Sequence, residues 1–71
     1  MSSVVRIARV AIIPDSGGKG ETILHAYECL REAGIKPLGC EVTEPAILLP
    51  PTTRDRALAA LLGAGFIIKE L

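Results

Sequence analysis

The chain is poor in aromatic residues: 71 residues hold one tyrosine, one phenylalanine and no tryptophan. That removes the stacking platforms on which a sheet would read single-stranded nucleic acid. It also lacks a charge bias, because eight basic residues balance eight acidic ones. A balanced chain has no strong positive field to hold a phosphate backbone, so nucleic-acid binding is disfavoured. The two pairs Arg6/Arg9 and Arg54/Arg56 then read as solvated surface. Two cysteines, Cys29 and Cys40, are too few for a disulfide framework and form no CxxC pair; both read as small buried apolar residues, and the sequence alone leaves a single bridge between them open. The one histidine, His25, has no nucleophile or acid at a telling spacing. No metal-ligand pattern and no tuned carboxylate pair is present, Glu41 and Glu44 reading as surface groups flanking a hairpin. No catalytic residue, metal or cofactor is therefore expected, and enzyme activity is not. No apolar run nears the roughly 20 residues that span a bilayer. The start, MSSVVRIARV, lacks a long apolar core followed by a cleavage-type site, so the expectation is a cytoplasmic chain without a membrane partner.

What the chain does have is apolar residues, 49% of the total. A domain of this length buries only about 60% of the surface its unfolded form exposes. Apolar surface in excess of a small core calls for a partner, and a second copy of the chain is the simplest one.

Residues 1–71 read as a single domain. Val4 to Ile13 is rich in Val and Ile and stops at Pro14, which predicts a strand. From Glu21 to Ala33 the period becomes helical, with Ile23, Tyr27 and Leu30 on a stripe that Leu24 and Ala26 widen. Gly34 stands where a glycine cap belongs, with Ile35 returning to the helix. Leu38, Cys40 and Val42 alternate with Gly39 and Glu41 as a second strand with one buried face. Ala46 to Leu49 is a third, stopped by Pro50-Pro51. The short link Thr43-Glu44-Pro45 makes these two strands antiparallel neighbours. Thr52 and Asp55 resemble a capping box for a second helix striped by Ala57, Leu58, Leu61 and Leu62. Gly63 and Gly65 end it, and Phe66-Ile67-Ile68 begins a fourth strand. Leu30–Ile35 and Leu61–Phe66 echo each other, each a helix end followed by glycine and a large apolar residue. The order is β-α-β twice over. With right-handed crossovers this is an α+β, ferredoxin-like βαββαβ sandwich, a four-stranded antiparallel sheet with two helices on one face. Its other face is left bare, with Ala11 and Ile13 available to a dimer.

The stretch PDSGGKGETI, residues 14–23, joins the first strand to the first helix. SGGKGET looks similar to a deviant P-loop, but Glu21 stands where the phosphate-binding lysine is needed, and a carboxylate there repels phosphate. Gly17-Gly18-Lys19-Gly20 also fits the GxxG loop of a KH domain, which clamps a nucleic-acid backbone. That loop joins two helices, however, whereas a strand precedes this one.

Along nearly its whole length the chain resembles the ACT domain family. The resemblance rests on Arg9-Val10-Ala11-Ile12-Ile13-Pro14-Asp15, a strand ending in an acidic residue, followed by Gly20 at the first helix. It rests also on Leu30-Arg31-Glu32-Ala33-Gly34-Ile35, and on Asp55-Arg56-Ala57-Leu58 through Ala64-Gly65-Phe66. It implies a regulatory domain that pairs side by side as a homodimer or higher homo-oligomer. It implies a small-molecule ligand, an amino acid above all, near the first strand–helix loop and the subunit interface. Asp15, Ser16, Gly17, Gly18, Lys19, Gly20 and Thr22 would line that site. Glycine permits close backbone approach, free N–H groups at the helix start favour a carboxylate, and Asp15 would take an amino group. The loop departs from the family's pattern in being longer through Ser16 to Lys19 and free of proline before the glycine. Two other readings remain open: a ligand-free dimerisation or regulatory module for a partner enzyme, and a nucleic-acid-binding domain using the GGKG loop.

Overall fold

The computed structural model describes residues 6–69. It is a small α+β unit built from β1 (Ala8–Ala11), α1 (Lys19–Glu32), β2 (Gly39–Glu41), β3 (Ala46–Leu49) and α2 (Arg54–Gly63), with a 3-10 turn over Pro51–Thr53 leading into α2. The sheet has the order β1-β3-β2, and both pairings are antiparallel.

The register follows from side-chain parity. Val10 and Cys40 flank Ile47, and Ala8 faces Leu49, so these share the helix side of the sheet. Val10, Ile12, Ile47 and Leu49 are buried there against Ile23, Ala26 and Leu30 of α1 and Ala57 and Leu61 of α2. Arg9, Ala11, Leu48, Ala46, Gly39 and Glu41 take the opposite parity and lie on the face without helices.

Several boundaries differ from expectation. The first strand is Ala8–Ala11 rather than Val4–Ile13; Val4 and Val5 lie outside the described residues. Its ladder is set by β3, which Pro45 and Pro50 bracket. Proline has no N–H to donate, so neither end of β3 extends. The pairing closes with Ile12 N–H donating to the Pro45 carbonyl at 2.8 Å. Leu38, Cys40 and Val42 are exposed rather than buried. The helices pack over β3 and β1, leaving the second strand as an edge beyond their reach.

Where a fourth strand was expected, Ile68 forms a single antiparallel bridge to Ile12. Ile13 N–H donates to the Ile67 carbonyl at 2.9 Å and Lys69 N–H to the Ala11 carbonyl at 2.8 Å. The segment thus lies along the outer edge of β1, while the sheet proper has three strands among the described residues.

The helical stripes are narrower than the sequence implied. Ile23, Ala26 and Leu30 are buried, but Leu24 is 54% exposed; Ala57 and Leu61 are buried, but Leu62 is 46% exposed. Two short helices on a narrow sheet cover one line of side chains each. Cys29 is half-buried where the helices meet, with its thiol directed at the Ala60 carbonyl at 3.5 Å. His25 is exposed.

Both helices end alike. Gly34 N–H donates to Arg31 O and Ile35 N–H to Leu30 O; Gly65 N–H donates to Leu62 O and Phe66 N–H to Leu61 O. These are two Schellman motifs, with φ of 77° at Gly34 and 96° at Gly65, values a residue with a Cβ rarely adopts. The echo in the sequence is therefore one capping device used twice. The expected cap at Thr52 is absent. Pro51 starts a helical turn early, and the Thr53 amide and hydroxyl both donate to the Pro50 carbonyl, at 3.0 and 3.1 Å.

Candidate functional site

The stretch after β1 folds on itself. The Gly17 N–H donates to Asp15 Oδ1 at 2.8 Å, and the Gly18 N–H to the Asp15 carbonyl at 3.1 Å. Gly18, at φ 93°, is the N-cap of α1, and its carbonyl accepts the first helical bond from Thr22 N–H. α1 consequently starts at Lys19, two residues before Glu21, so Lys19 and Gly20 belong to the helix and the loop proper is short.

Thr22 locks this turn. Its side chain is 1% exposed. Its hydroxyl has one proton, and the Gly18 carbonyl at 2.7 Å is a better acceptor than Asp15 Oδ1 at 3.3 Å. Its lone pair receives the Asp15 N–H at 3.2 Å. Asp15 Oδ1 and Thr22 are thus engaged in holding the loop. Ser16, Gly17, Gly18 and Gly20 are exposed along it. The Glu21 carboxylate lies against Gly17, where a Cβ would sit 2.5 Å from Oε2. A negative group already covers that side of the helix start.

Lys19 points elsewhere. Its ammonium donates to the Thr43 carbonyl at 2.9 Å, joining the start of α1 to the β2–β3 turn. Beside this clasp is a half-open cleft of about 340 Å³. That is the lower end of the size range of small-molecule sites, roughly 300–1,000 Å³. Its floor runs from Ala11, the last residue of β1, to Pro14; Thr43, Glu44 and Pro45 form one wall, and Lys69 closes the side along β1. Of the seven residues expected to line a ligand site, Lys19 is the one that lines this cleft.

Arg9 forms the remaining boundary. On the bare sheet face it reaches across β3, its Nε donating to Glu41 Oε1 at 2.7 Å. Its Nη2 makes longer contacts with Glu44, 3.3 Å to Oε2 and 3.4 Å to the carbonyl. These two carboxylates, the Glu41 hydrogen bond foremost, hold the guanidinium above its ordinary range. Ala46, in the central strand that Arg9 crosses, is fully buried. The assignment of Ala11 and Ile13 to the bare face was the sequence signal for this side. Lys69 and the Thr43–Pro45 wall had none, since only the folded sheet brings them to β1.

Elsewhere Tyr27 is half-buried on α1 near the exposed Cys40 of β2. Burial first, and then the neighbouring thiol, raises its phenol above the usual value. Among the described residues no set of three or more His, Cys, Asp or Glu is placed to hold a metal ion. No helix among them is long and apolar enough to cross a membrane. No family model matches the chain, and no curated protein or solved structure is significantly similar to it, so the functional reading rests on this geometry.

Proposed function

We propose that the chain is a regulatory domain of the ACT-like, ferredoxin-fold kind, acting as a homo-oligomer and binding a small molecule of the amino-acid class. The β-α-β-β-α order, and a last segment running antiparallel on the free edge of β1, support that fold. The observation that carries the function is the cleft. Three parts of the fold, the start of α1, the β2–β3 turn and the segment that carries Lys69 along the edge of β1, converge on it. A ligand touching all three would tie them together, which is what a regulatory site needs. Its lining mixes cations, one carboxylate and an apolar floor, the pattern suited to a zwitterion with a carbon chain.

Oligomerisation is supported by exposed apolar side chains beside the cleft. Ile13 and Ile67 are joined by their backbones and are 46% and 61% exposed. A second copy covering them would protect apolar area that a domain of this size cannot bury alone. No step of the proposal requires catalysis, and a cytoplasmic setting fits it.

A thermal-shift screen of the proteinogenic amino acids tests the function. A ligand at 100 times its Kd stabilises by about 2.7 kcal/mol, which for a 60–100-residue domain raises Tm by more than about 10 °C. A flat response to every amino acid overturns the proposal. Sedimentation equilibrium at micromolar protein tests the oligomer, and a monomer there overturns that part.

A further inference from the structure

Resting on the reading of the cleft as an amino-acid site, we infer that its ligand is an acidic amino acid, with two carboxylates and one ammonium. The inference comes from which charges of the cleft are already spent. Arg9 is spent on Glu41, at 2.7 Å. Lys19 and Lys69 are not paired with a carboxylate among the described residues; Lys19 gives one of its three donors to the neutral Thr43 carbonyl. Glu44 is held loosely, by a single Arg9 nitrogen at 3.3 Å, with its side chain 77% exposed. The cleft therefore offers two cations and one carboxylate to a ligand.

Lys19, at the start of α1, and Lys69, whose N–H donates to the Ala11 carbonyl at the β1 edge, line the same cleft together with the apolar Ala11, Ile12, Ile13 and Pro14. Two ammonium groups sharing an apolar floor match two carboxylates joined by methylene groups. Glu44, on the opposite wall, receives the ammonium. A neutral amino acid leaves one lysine without a partner, and a basic one adds a cation to a site that already has two. Charge complementarity of this kind selects between ligands more than it raises affinity in general. The selection is for the acidic members and against the basic ones, and it weakens with salt because the groups are exposed.

Calorimetric titration of the intact chain at low ionic strength tests this. The probes are L-aspartate, L-glutamate, their amides L-asparagine and L-glutamine, L-lysine, and the dicarboxylate glutarate. The expected result is that an acidic amino acid binds about tenfold or more tighter than its own amide, the loss of one charge-assisted contact. Lys69→Met should remove that difference without changing the circular dichroism spectrum, since Lys69 is exposed. Glu44→Gln should weaken the acidic amino acid and leave glutarate unchanged or tighter. If amides bind as tightly as acids, or Lys69→Met leaves the preference intact, the inference is overturned while the amino-acid site stands. If no amino acid binds at all, the underlying reading falls with it.

Discussion

The ammonium of Lys19 lies 2.9 Å from the carbonyl of Thr43, 24 residues along the chain, and so fastens the first turn of α1 to the β2–β3 turn. This contact gives the glycine-rich stretch its place in the fold. Lys19, which the sequence places in the glycine-rich loop, is a helix residue whose side chain bridges two elements at one end of the sheet.

The loop before it depends on Thr22. Thr22→Val keeps the shape but removes the hydroxyl that accepts the Asp15 N–H and donates to the Gly18 carbonyl. The expected loss is about 1–3 kcal/mol, the cost of leaving polar groups unsatisfied. A urea denaturation curve reads it as a lower midpoint. Thr22→Ser retains the hydroxyl and should recover most of the loss.

Two adjacent glycines should respond differently to alanine. At Gly18 the φ of 93° makes any Cβ strained although the space around it is open. Gly18→Ala should cost about 1–3 kcal/mol. At Gly17 the new Cβ would meet the end of the Glu21 side chain at 2.5 Å and, less closely, Asp15 Oδ1 at 3.1 Å, which has to give by only a few tenths of an ångström. The flexible Glu21 carboxylate moves aside, so Gly17→Ala should be the milder change. Equal midpoints for the two variants would contradict the loop geometry.

The core has little reserve. Leu30 is fully buried beneath the sheet, and Leu30→Ala should cost about 2–5 kcal/mol. At 0.05–0.15 kcal/mol per residue, a domain of this size has roughly 4–10 kcal/mol in all. Circular dichroism should show Leu30→Ala melting far below the parent. The same change at exposed Leu24 should have little effect.

Tyr27 makes the alkaline limb readable. It is the only tyrosine, so phenolate absorbance reports it alone. Burial, with a smaller contribution from Cys40, raises its folded value, while the unfolded phenol titrates near 10. The unfolded state then loses its proton first as pH rises. The stabilisation is intact below about pH 10 and is lost as pH climbs through the folded value. The native midpoint should lie above that in urea. Cys40→Ala should lower it without abolishing the difference, because burial is the larger cause.

Local chemistry is what the sequence conveyed well. The helix ends at Gly34 and Gly65 were legible because a Schellman cap needs a φ that glycine adopts freely, so the residue type carries the conformation. The adjacency of β2 and β3 was legible because three residues ending in proline leave the chain room only to turn back. The start of α1 was not legible, because it depends on Gly18 taking a cap position that its neighbour Gly17 could equally have taken. Nor was the exposure of Leu38, Cys40 and Val42, since alternation marks a strand with two faces without saying whether a helix reaches the inner one.

By itself, then, the sequence determined the order of the first five elements, the parity of β1 and β2 and the two glycine caps, all properties of residues within a few positions of one another. Tertiary structure alone decided that β2 is an uncovered edge, that Arg9 spends its charge on Glu41, and that Lys19, Glu44 and Lys69 border one cleft. Those facts depend on which strands pair and in what register. Pairing is chosen by the burial of Val10, Ile12, Ile47 and Leu49 against the helices, a free energy summed over the whole core rather than written at any one position.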